Sequence, residues 1–551
     1  MERIWLQHYP KDIPADINPD TYSSLLNVFD ESTERYRALP AFFHMGRTIT
    51  YQELRDYSER FASYLQHVLH LKQGDRIALM LPNSLPYPIA LWGALRAGLT
   101  VVNVNPLYTV PEWVHQLNDC GAETILVSMP FIEVVQKGLS ATAIKNVIVA
   151  NMGDLLPPIK SCFINFYVRY FQRKKWNSAL FKKINFQDVL RIGEKTPFTP
   201  VTCAGDDIAF LQYTGGTTGA SKGAILTHRN IIANILQAEA WVGSKIRYGN
   251  DIMITALPLY HIFSLLANCL LVTRVGGLSV LISDPRRLSA VISTMRQFKF
   301  TLITGVNTLF SELLRHPSFM KCDFSALKIG LCGAMPVQKN VLTEWEKITG
   351  CALTEAYGLT EASPCVAINP LDGSHHPGSI GLPVPSTDVA ILDDTGQSVN
   401  NGEPGELAVK GPQVMRGYWQ NPLETKKATN EAGWLLTGDI AIMDENGFIS
   451  IVDRKKDMVV VSGFKVYPNE IEEVLLQMPG ILEAAIKAVP DTHTGEAVKA
   501  FVVTHRTDIT EQAIRTFCHD RLTGYKRPKY IEFRSELPKS PVGKVLRRLL
   551  E

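Results

Sequence analysis

At 551 residues the chain exceeds what one hydrophobic core ordinarily organises, so two or more domains are expected. Its 46% hydrophobic and 20% charged residues, with a mean hydropathy of +0.01, fit neither a disordered chain nor a polytopic membrane protein. Lys plus Arg (56) nearly balance Asp plus Glu (54), which leaves no global basic surface for nucleic acid.

The opening MERIWLQHYPKDIPADINPD has no basic stretch followed by an apolar run and does not read as a secretory signal. Next, YQELRDYSERFASYLQ has amphipathic helical spacing, RIALML is a short buried strand, YPIALWGALRAG is helical and LTVVNVNP is a strand. This alternation predicts layered α/β structure with a largely parallel sheet. NVIVA, FTLITG, LKIGLCGA and ALTEAYG repeat the theme, and ligands in such folds sit at the carboxyl ends of strands.

Residues 155–187 hold seven Lys or Arg, eight aromatics and no Asp or Glu. Basic and aromatic residues interleaved in an amphipathic stretch suit an anionic membrane surface, and equally a solvated basic helix packed on the domain. Ile252 to Val272 is a run of 21 residues without Asp, Glu, Lys or Arg, but Pro258 and His261 inside it favour a buried strand and loop feeding a helix over a membrane span.

From about Gly378 the texture becomes β-rich, and DRKKD at Asp453–Asp457 marks an expected boundary. The expected domains are 1–455, containing a β-rich subdomain at 378–455, and a small α+β domain at 456–551. The nine cysteines are scattered, odd in number and free of CxxC pairs, which suits reduced thiols in a cytoplasmic setting rather than disulfides or zinc.

Four segments carry chemistry. In FLQYTGGTTGASKGAILTH a strand runs into Tyr213, Thr214, Gly215, Gly216, Thr217, Thr218, Gly219, Ala220, Ser221, Lys222 and Gly223. Glycine amides, hydroxyls and a lysine suit a phosphate cradle better than the alternative of a flexible surface loop. It is not a Walker loop, because no glycine precedes Lys222 and Gly223 stands where the magnesium-binding hydroxyl would be. In LTEAYGLTEASP, Tyr357 offers a ring for a base, Thr360 a phosphate donor and Glu361 a carboxylate for Mg²⁺; alone, the same residues suit an ordinary turn. In WLLTGDIA, Asp439 is expected to end a β segment and accept ribose hydroxyls, or simply to occupy a turn. In PKSPVGKVLRR, Lys544 follows Gly543 and could neutralise transition-state charge, or belong to a solvated tail.

In this order and over this length, the four segments resemble the acyl-adenylate-forming family of acyl-CoA synthetases, peptide-synthetase adenylation domains and firefly luciferase. Within that family VVNVNPLYT, ALPLYHIF, GSIGLPVPST, KGPQVMRGYWQ and IVDRKKDMVVVSGFKVYPNEIE are most similar to bacterial long-chain fatty acid:CoA ligases. The resemblance implies a large N-terminal domain, a mobile C-terminal domain, ATP and coenzyme A as co-substrates of a long-chain fatty acid, and Mg²⁺ as cofactor. By motif, Tyr213 to Ala224 would hold the ATP phosphates. Gly333 and Ala334 with Glu355, Ala356, Tyr357 and Gly358 would flank adenine, and Thr360 would touch the α-phosphate. Glu361 would bind Mg²⁺, Asp439 and Arg454 the ribose, and His261 would lie near the acyl carboxylate. Lys456 would be the hinge, Lys544 would serve adenylation only, and Gly463 would lie beside CoA. Cys332 stands where relatives often have glycine. Oligomeric state is not legible, a homodimer being compatible; a peripheral place on the cytoplasmic face of a membrane follows from the 155–187 reading.

Overall fold

The computed structural model describes residues 2–170, 183–214, 221–506, 508–540 and 543–551, with the side chains of 167–170 left out. The fold class is α/β, and four sheets organise the described residues.

The first sheet orders seven strands as Lys183–Asn185, Asn146–Ala150, Thr124–Ser128, Arg76–Met80, Thr100–Asn103, Ile208–Thr214 and Lys222–Thr227. All neighbours are parallel except the last pair, which is antiparallel. The parallel strands are nearly continuous runs of buried apolar residues, as expected of a sheet covered on both faces. Helix Tyr51–His67 starts at a capping box, where Thr50 Oγ1 accepts from the Glu53 amide at 3.1 Å and Glu53 Oε2 from the Thr50 amide at 2.9 Å. The helix packs on Pro86–Arg96, every residue of which is buried. Gly93 permits this approach, since a Cβ there would lie 2.8 Å from the Ser58 carbonyl oxygen.

The second sheet has nine strands, running from Leu382–Pro383 through Cys365–Ile368, Leu353–Gly358, Ile329–Cys332, Leu302–Gly305, Ile252–Thr255 and Leu278–Leu281 to the hairpin Pro40–His44 and Arg47–Thr50. The uncharged run is resolved as anticipated: strand Ile252–Thr255, a loop, then helical structure from Ile262 to Val275 with a π-helical stretch at Leu265–Leu270. Among the described residues no helix is long and apolar enough to cross a membrane.

A four-stranded antiparallel meander follows: Asp388–Leu392, Gly405–Lys410, Leu435–Met443 and Ile449–Arg454. The N-terminal segment straps it to the larger body: Trp5 is buried against Gly447, Arg3 Nε pairs with Asp388 at 2.6 Å, and the Ser386 amide donates to the Ala15 carbonyl at 2.9 Å. After Arg454 a tight turn leads to a separate sheet of Val459–Val461, Phe464–Val466, Ile481–Asp491, Gly495–Thr504 and Tyr530–Arg534, with helices Pro468–Leu476 and Glu511–His519 and its own apolar core. All nine cysteines are free thiols, and only Cys162 is exposed.

Candidate active site

Tyr213, Thr214 and Lys222 to Ala224 lie on the antiparallel pair at the edge of the first sheet, where Tyr213 faces Gly223 and Thr214 faces Lys222. Gly215 to Ala220 lie outside the described residues. A Cβ at Gly223 would sit 3.0 Å from the Tyr213 ring, so glycine lets that ring lie across the pair. The ring is anchored by its hydroxyl, which donates to Asp119 Oδ2 at 2.5 Å; burial, more than Asp119, pushes the phenol far above its usual range. Lys222 forms an ion pair with Glu424 and stands 5.2 Å from the Tyr418 ring centroid.

Tyr418 belongs to a segment that pairs with the same edge: the Ile225 amide donates to the Gly417 carbonyl at 2.9 Å and the Trp419 amide to the Gly223 carbonyl at 2.8 Å. The Tyr418 hydroxyl donates to Glu361 Oε1 at 2.7 Å, while the Met415 amide donates to the Glu361 carbonyl at 2.7 Å. Tyr418 thereby touches both Glu361, through its hydroxyl, and Lys222, through its ring. One carboxylate with phosphates and water suits a hard, oxygen-seeking ion such as Mg²⁺ arriving on a nucleotide. Among the described residues no group of three or more His, Cys, Asp or Glu could form a protein-only cage for a metal.

Glu361 is presented by a sharp corner after strand Leu353–Gly358. The Leu359 amide donates to the Pro364 carbonyl at 3.0 Å, and Thr360–Ala362 make one turn of 3₁₀ helix. Gly358 makes the corner possible, because a Cβ there would lie 2.3 Å from the Pro364 carbonyl oxygen. Upstream, Glu355 accepts from the Gly378 amide at 2.8 Å, and burial pushes its carboxyl up to about 7. Gly333 packs against the Ala356 carbonyl, 3.2 Å from where a Cβ would stand, and against the Phe263 ring. Ala334 takes a left-handed conformation at φ 67°. Cys332 is buried in the strand before them and pairs with Glu355.

Asp439 departs from expectation: it sits in the middle of strand Leu435–Met443 rather than ending it, paired directly with Arg454. Gly438, at φ 73°, and a register shift at Ile440 and Ala441 turn the strand locally so that the carboxylate faces the site. The Tyr357 hydroxyl donates to Asp439 Oδ2 at 2.6 Å, and Arg454 Nε lies 3.5 Å from Oδ1. This joins the second sheet to the meander at the same place.

Lys544 comes to that pair from the far end of the chain. Gly543 docks against the large body, where a Cβ on it would lie 2.4 Å from Thr308 Oγ1. The Lys544 ammonium faces Arg454, Asp439, Lys456 and Asp457; burial chiefly, then Arg454 and Lys456, push it down to about 7 against the opposing pull of the two aspartates. Lys456 is pushed down to about 8, first by lost hydration and then by Arg454. His261 Nδ1 accepts from the Phe263 amide at 3.4 Å, and burial pushes its imidazole down to about 4, so it is neutral at pH 7. Gly463, at φ 86°, forms the exposed tip of the hairpin Val459–Val461 and Phe464–Val466.

The roles of Asp119, Thr308, Tyr418, Trp419 and Glu424 escape sequence reading because these residues reach the motifs only through long-range packing. KGPQVMRGYWQ did single out the Tyr418 segment, but as a resemblance without a role.

Known proteins share this arrangement. A family model described as AMP-binding enzyme matches residues 29–419, and one described as AMP-binding enzyme C-terminal domain matches residues 470–544. A long-chain-fatty-acid–CoA ligase of Escherichia coli O157:H7 is 51% identical over 550 residues, covering 100% of this chain and 98% of that protein. One of Haemophilus influenzae is 47% identical over 554 residues with the same coverage. The crystal structure of the anthranilate CoA ligase AuaEII with anthranoyl-AMP superposes with a TM-score of 0.84 at 25% identity, covering 97% of this chain and 98% of that one. The family models span most of both the large body and the small sheet domain, and the chain belongs to the AMP-binding enzyme family.

Proposed function

We propose that the chain is a long-chain fatty acid:CoA ligase that converts ATP, fatty acid and CoA to acyl-CoA, AMP and pyrophosphate through an acyl-adenylate. The observation that carries the reading is the docking of Lys544, from the small domain, beside Asp439 and Arg454 of the large one. Curated relatives with this activity match along the whole chain.

A free carboxylate is a poor acyl donor because its leaving group would be oxide. In the first half-reaction its oxygen attacks the α-phosphorus of ATP, an O–P bond forms, and the bond to pyrophosphate breaks. Lys222, with Tyr213 and Thr214 and with Gly223 and Ala224 on the paired strands, holds the departing phosphates, exchanging its Glu424 partner for them. Thr360 donates to the α-phosphate. Asp439 and Arg454 hold the ribose, while Tyr357, fixed through its hydroxyl, and the Gly333–Ala334 turn border adenine. Glu361 would hold Mg²⁺, which when bound supplies charge neutralisation on the phosphates. Lys544 bridges carboxylate and α-phosphate, which removes their mutual repulsion and fixes the line of attack. His261, uncharged, borders the carboxylate without adding charge.

In the second half-reaction the CoA sulfur attacks the acyl carbonyl, a C–S bond forms, the C–O bond to AMP breaks, and the thiol proton leaves to solvent. Lys544 blocks this approach while docked. The tight turn after Arg454 lets 456–551 rotate about Lys456, withdrawing Lys544 and bringing the Gly463 hairpin to the site, so 1–455 and 456–551 act as separate bodies.

A peripheral place on an anionic membrane fits helix Pro158–Tyr170, which leaves Ile159 89% and Phe163 73% exposed on one face. Replacing both by Asp should abolish sedimentation with phosphatidylglycerol vesicles; unchanged sedimentation sinks the idea. For the activity itself, ATP labelled at the α-phosphate is incubated with palmitate, with and without CoA. The expected products are AMP and palmitoyl-CoA; ADP, or AMP without thioester when CoA is present, overturns the assignment.

A further inference from the structure

Lys544 sits in a segment with little regular structure of its own: among the described residues of 535–551 there is one 3₁₀ turn, Arg547–Leu549, and an isolated bridge between Lys539 and Val545. The Lys544 amide donates to Ser540 Oγ at 3.1 Å, and Leu537, Val545 and Leu550 pack on Ala485, Phe501 and Val503. These contacts seat the segment on the small domain's sheet but do not fix it against Asp439 and Arg454.

Arg547, three residues on, has partners of a different kind. Its Nη1 donates to Asp457 Oδ2 at 3.0 Å, and its Nη2 to Asn469 Oδ1 at 3.1 Å and Glu472 Oε1 at 2.7 Å. Nη1 also lies 3.9 Å from Asp453 Oδ1, and the guanidinium side chain is only 18% exposed. Asp453 is fully buried in the last strand of the meander, where Oδ1 accepts from the Arg454 amide and Oδ2 from the Asn469 amide, both at 2.7 Å. Asn469 Nδ2 in turn donates to the Val452 carbonyl at 3.1 Å. Asp453 precedes Lys456 in the chain, whereas Asp457, Asn469 and Glu472 follow it. One planar fork therefore faces acceptors on both sides of the turn, a geometry that a single ammonium cannot reproduce.

We propose that Arg547 is a positioning residue for adenylation: it clamps the Lys544 segment to both sides of the Arg454–Asp457 turn, so that Lys544 is aimed only while the small domain is docked as observed. The proposal rests on Lys544 serving the first half-reaction. Arg548, exposed beside it, takes no part.

The test measures the two half-reactions separately in the full-length protein for Arg547→Ala, Arg547→Lys, Arg548→Ala and Lys544→Ala. A misplacement near 1 Å costs roughly 10²-fold, so Arg547→Ala should slow acyl-adenylate formation to that degree, in kcat rather than in the KM for ATP. Conversion of supplied palmitoyl-AMP and CoA to palmitoyl-CoA should stay within about twofold of wild type, Arg547→Lys should recover part of the loss, and Arg548→Ala should match wild type. Adenylation by Arg547→Ala within about threefold of wild type, or equal loss in both half-reactions, overturns the proposal. If the alanine variant does not fold, Arg547→Lys decides by the same comparison. Retained adenylation in Lys544→Ala would sink the parent reading of Lys544 instead, which a normal Lys544→Ala defect beside an unimpaired Arg547→Ala would not.

Discussion

The environment of Lys544 dictates a pH dependence that an ordinary lysine would not show. With its ammonium pushed down to about 7 by burial and by Arg454 and Lys456, the docked, substrate-free enzyme holds a charged Lys544 only below neutrality. On the role proposed for Lys544, adenylation would need the charged form, so its rate with both substrates well below saturation would report this free-enzyme value. The charged fraction is about ten elevenths at pH 6 and one eleventh at pH 8, a roughly tenfold fall in kcat/KM followed by about tenfold per further pH step. A lysine at the usual 10.5 would give a level profile through pH 9. Once substrate carboxylate and phosphates surround the ammonium they favour its charge, so the break in kcat at saturation should move to higher pH. Lys456→Gln, by removing a positive neighbour, should also raise the break. The sign for stability is opposite: between about 7 and 10.5 the unfolded chain holds a proton that docked Lys544 lacks, so the docked fold gains stability as pH rises through that window. The assay is stopped-flow or quenched-flow formation of acyl-adenylate without CoA. A low-saturation profile level from pH 6 to 9, in wild type and Lys456→Gln alike, refutes the reasoning.

Asp439→Asn removes the charge that would hold the ribose. The KM for ATP should rise roughly 10- to 100-fold, as loss of a charge-assisted hydrogen bond implies, with little change for palmitate; equal effects on both substrates would contradict the assignment. Gly358→Ala drives a Cβ to within 2.3 Å of the Pro364 carbonyl oxygen. It should cost about 1–3 kcal/mol in chemical unfolding and displace Thr360 and Glu361, with adenylation falling more than stability predicts. Trp5→Ala empties a buried site where the N-terminal strap meets Gly447. A loss of about 3–5 kcal/mol is expected, and near-normal stability would show that the strap is dispensable.

The layered α/β fold was legible because its parallel strands, such as Arg76–Met80 and Thr124–Ser128, are short apolar runs alternating with helical segments, Tyr51–His67 with amphipathic spacing and Pro86–Arg96 buried throughout. The uncharged run Ile252–Val272 was correctly read as strand and helix, Pro258 and His261 deciding against a span. Its π-helical stretch left no signal, since an i to i+5 pattern has no composition of its own. The strand ends carrying Tyr213 and Tyr357 were visible as apolar segments breaking into glycine and hydroxyl residues. Asp439 was misplaced at a strand end because Gly438 looked like a terminus, whereas its positive φ only turns a strand that pairs on with Arg454. The supports from Asp119, Tyr418 and Glu424 were hidden, being between 57 and 202 residues away from the groups they hold. The basic tail after Lys544 could equally have been solvated; only folding shows Arg547 among partly buried acceptors beside the fully buried Asp453.

The most direct test of the account is whether an acyl-adenylate forms reversibly on the enzyme before CoA arrives. Exchange of labelled pyrophosphate into ATP should require palmitate, proceed without CoA and vanish in Lys544→Ala. Palmitate-independent exchange, exchange undiminished in Lys544→Ala, or release of ADP and phosphate instead would contradict it.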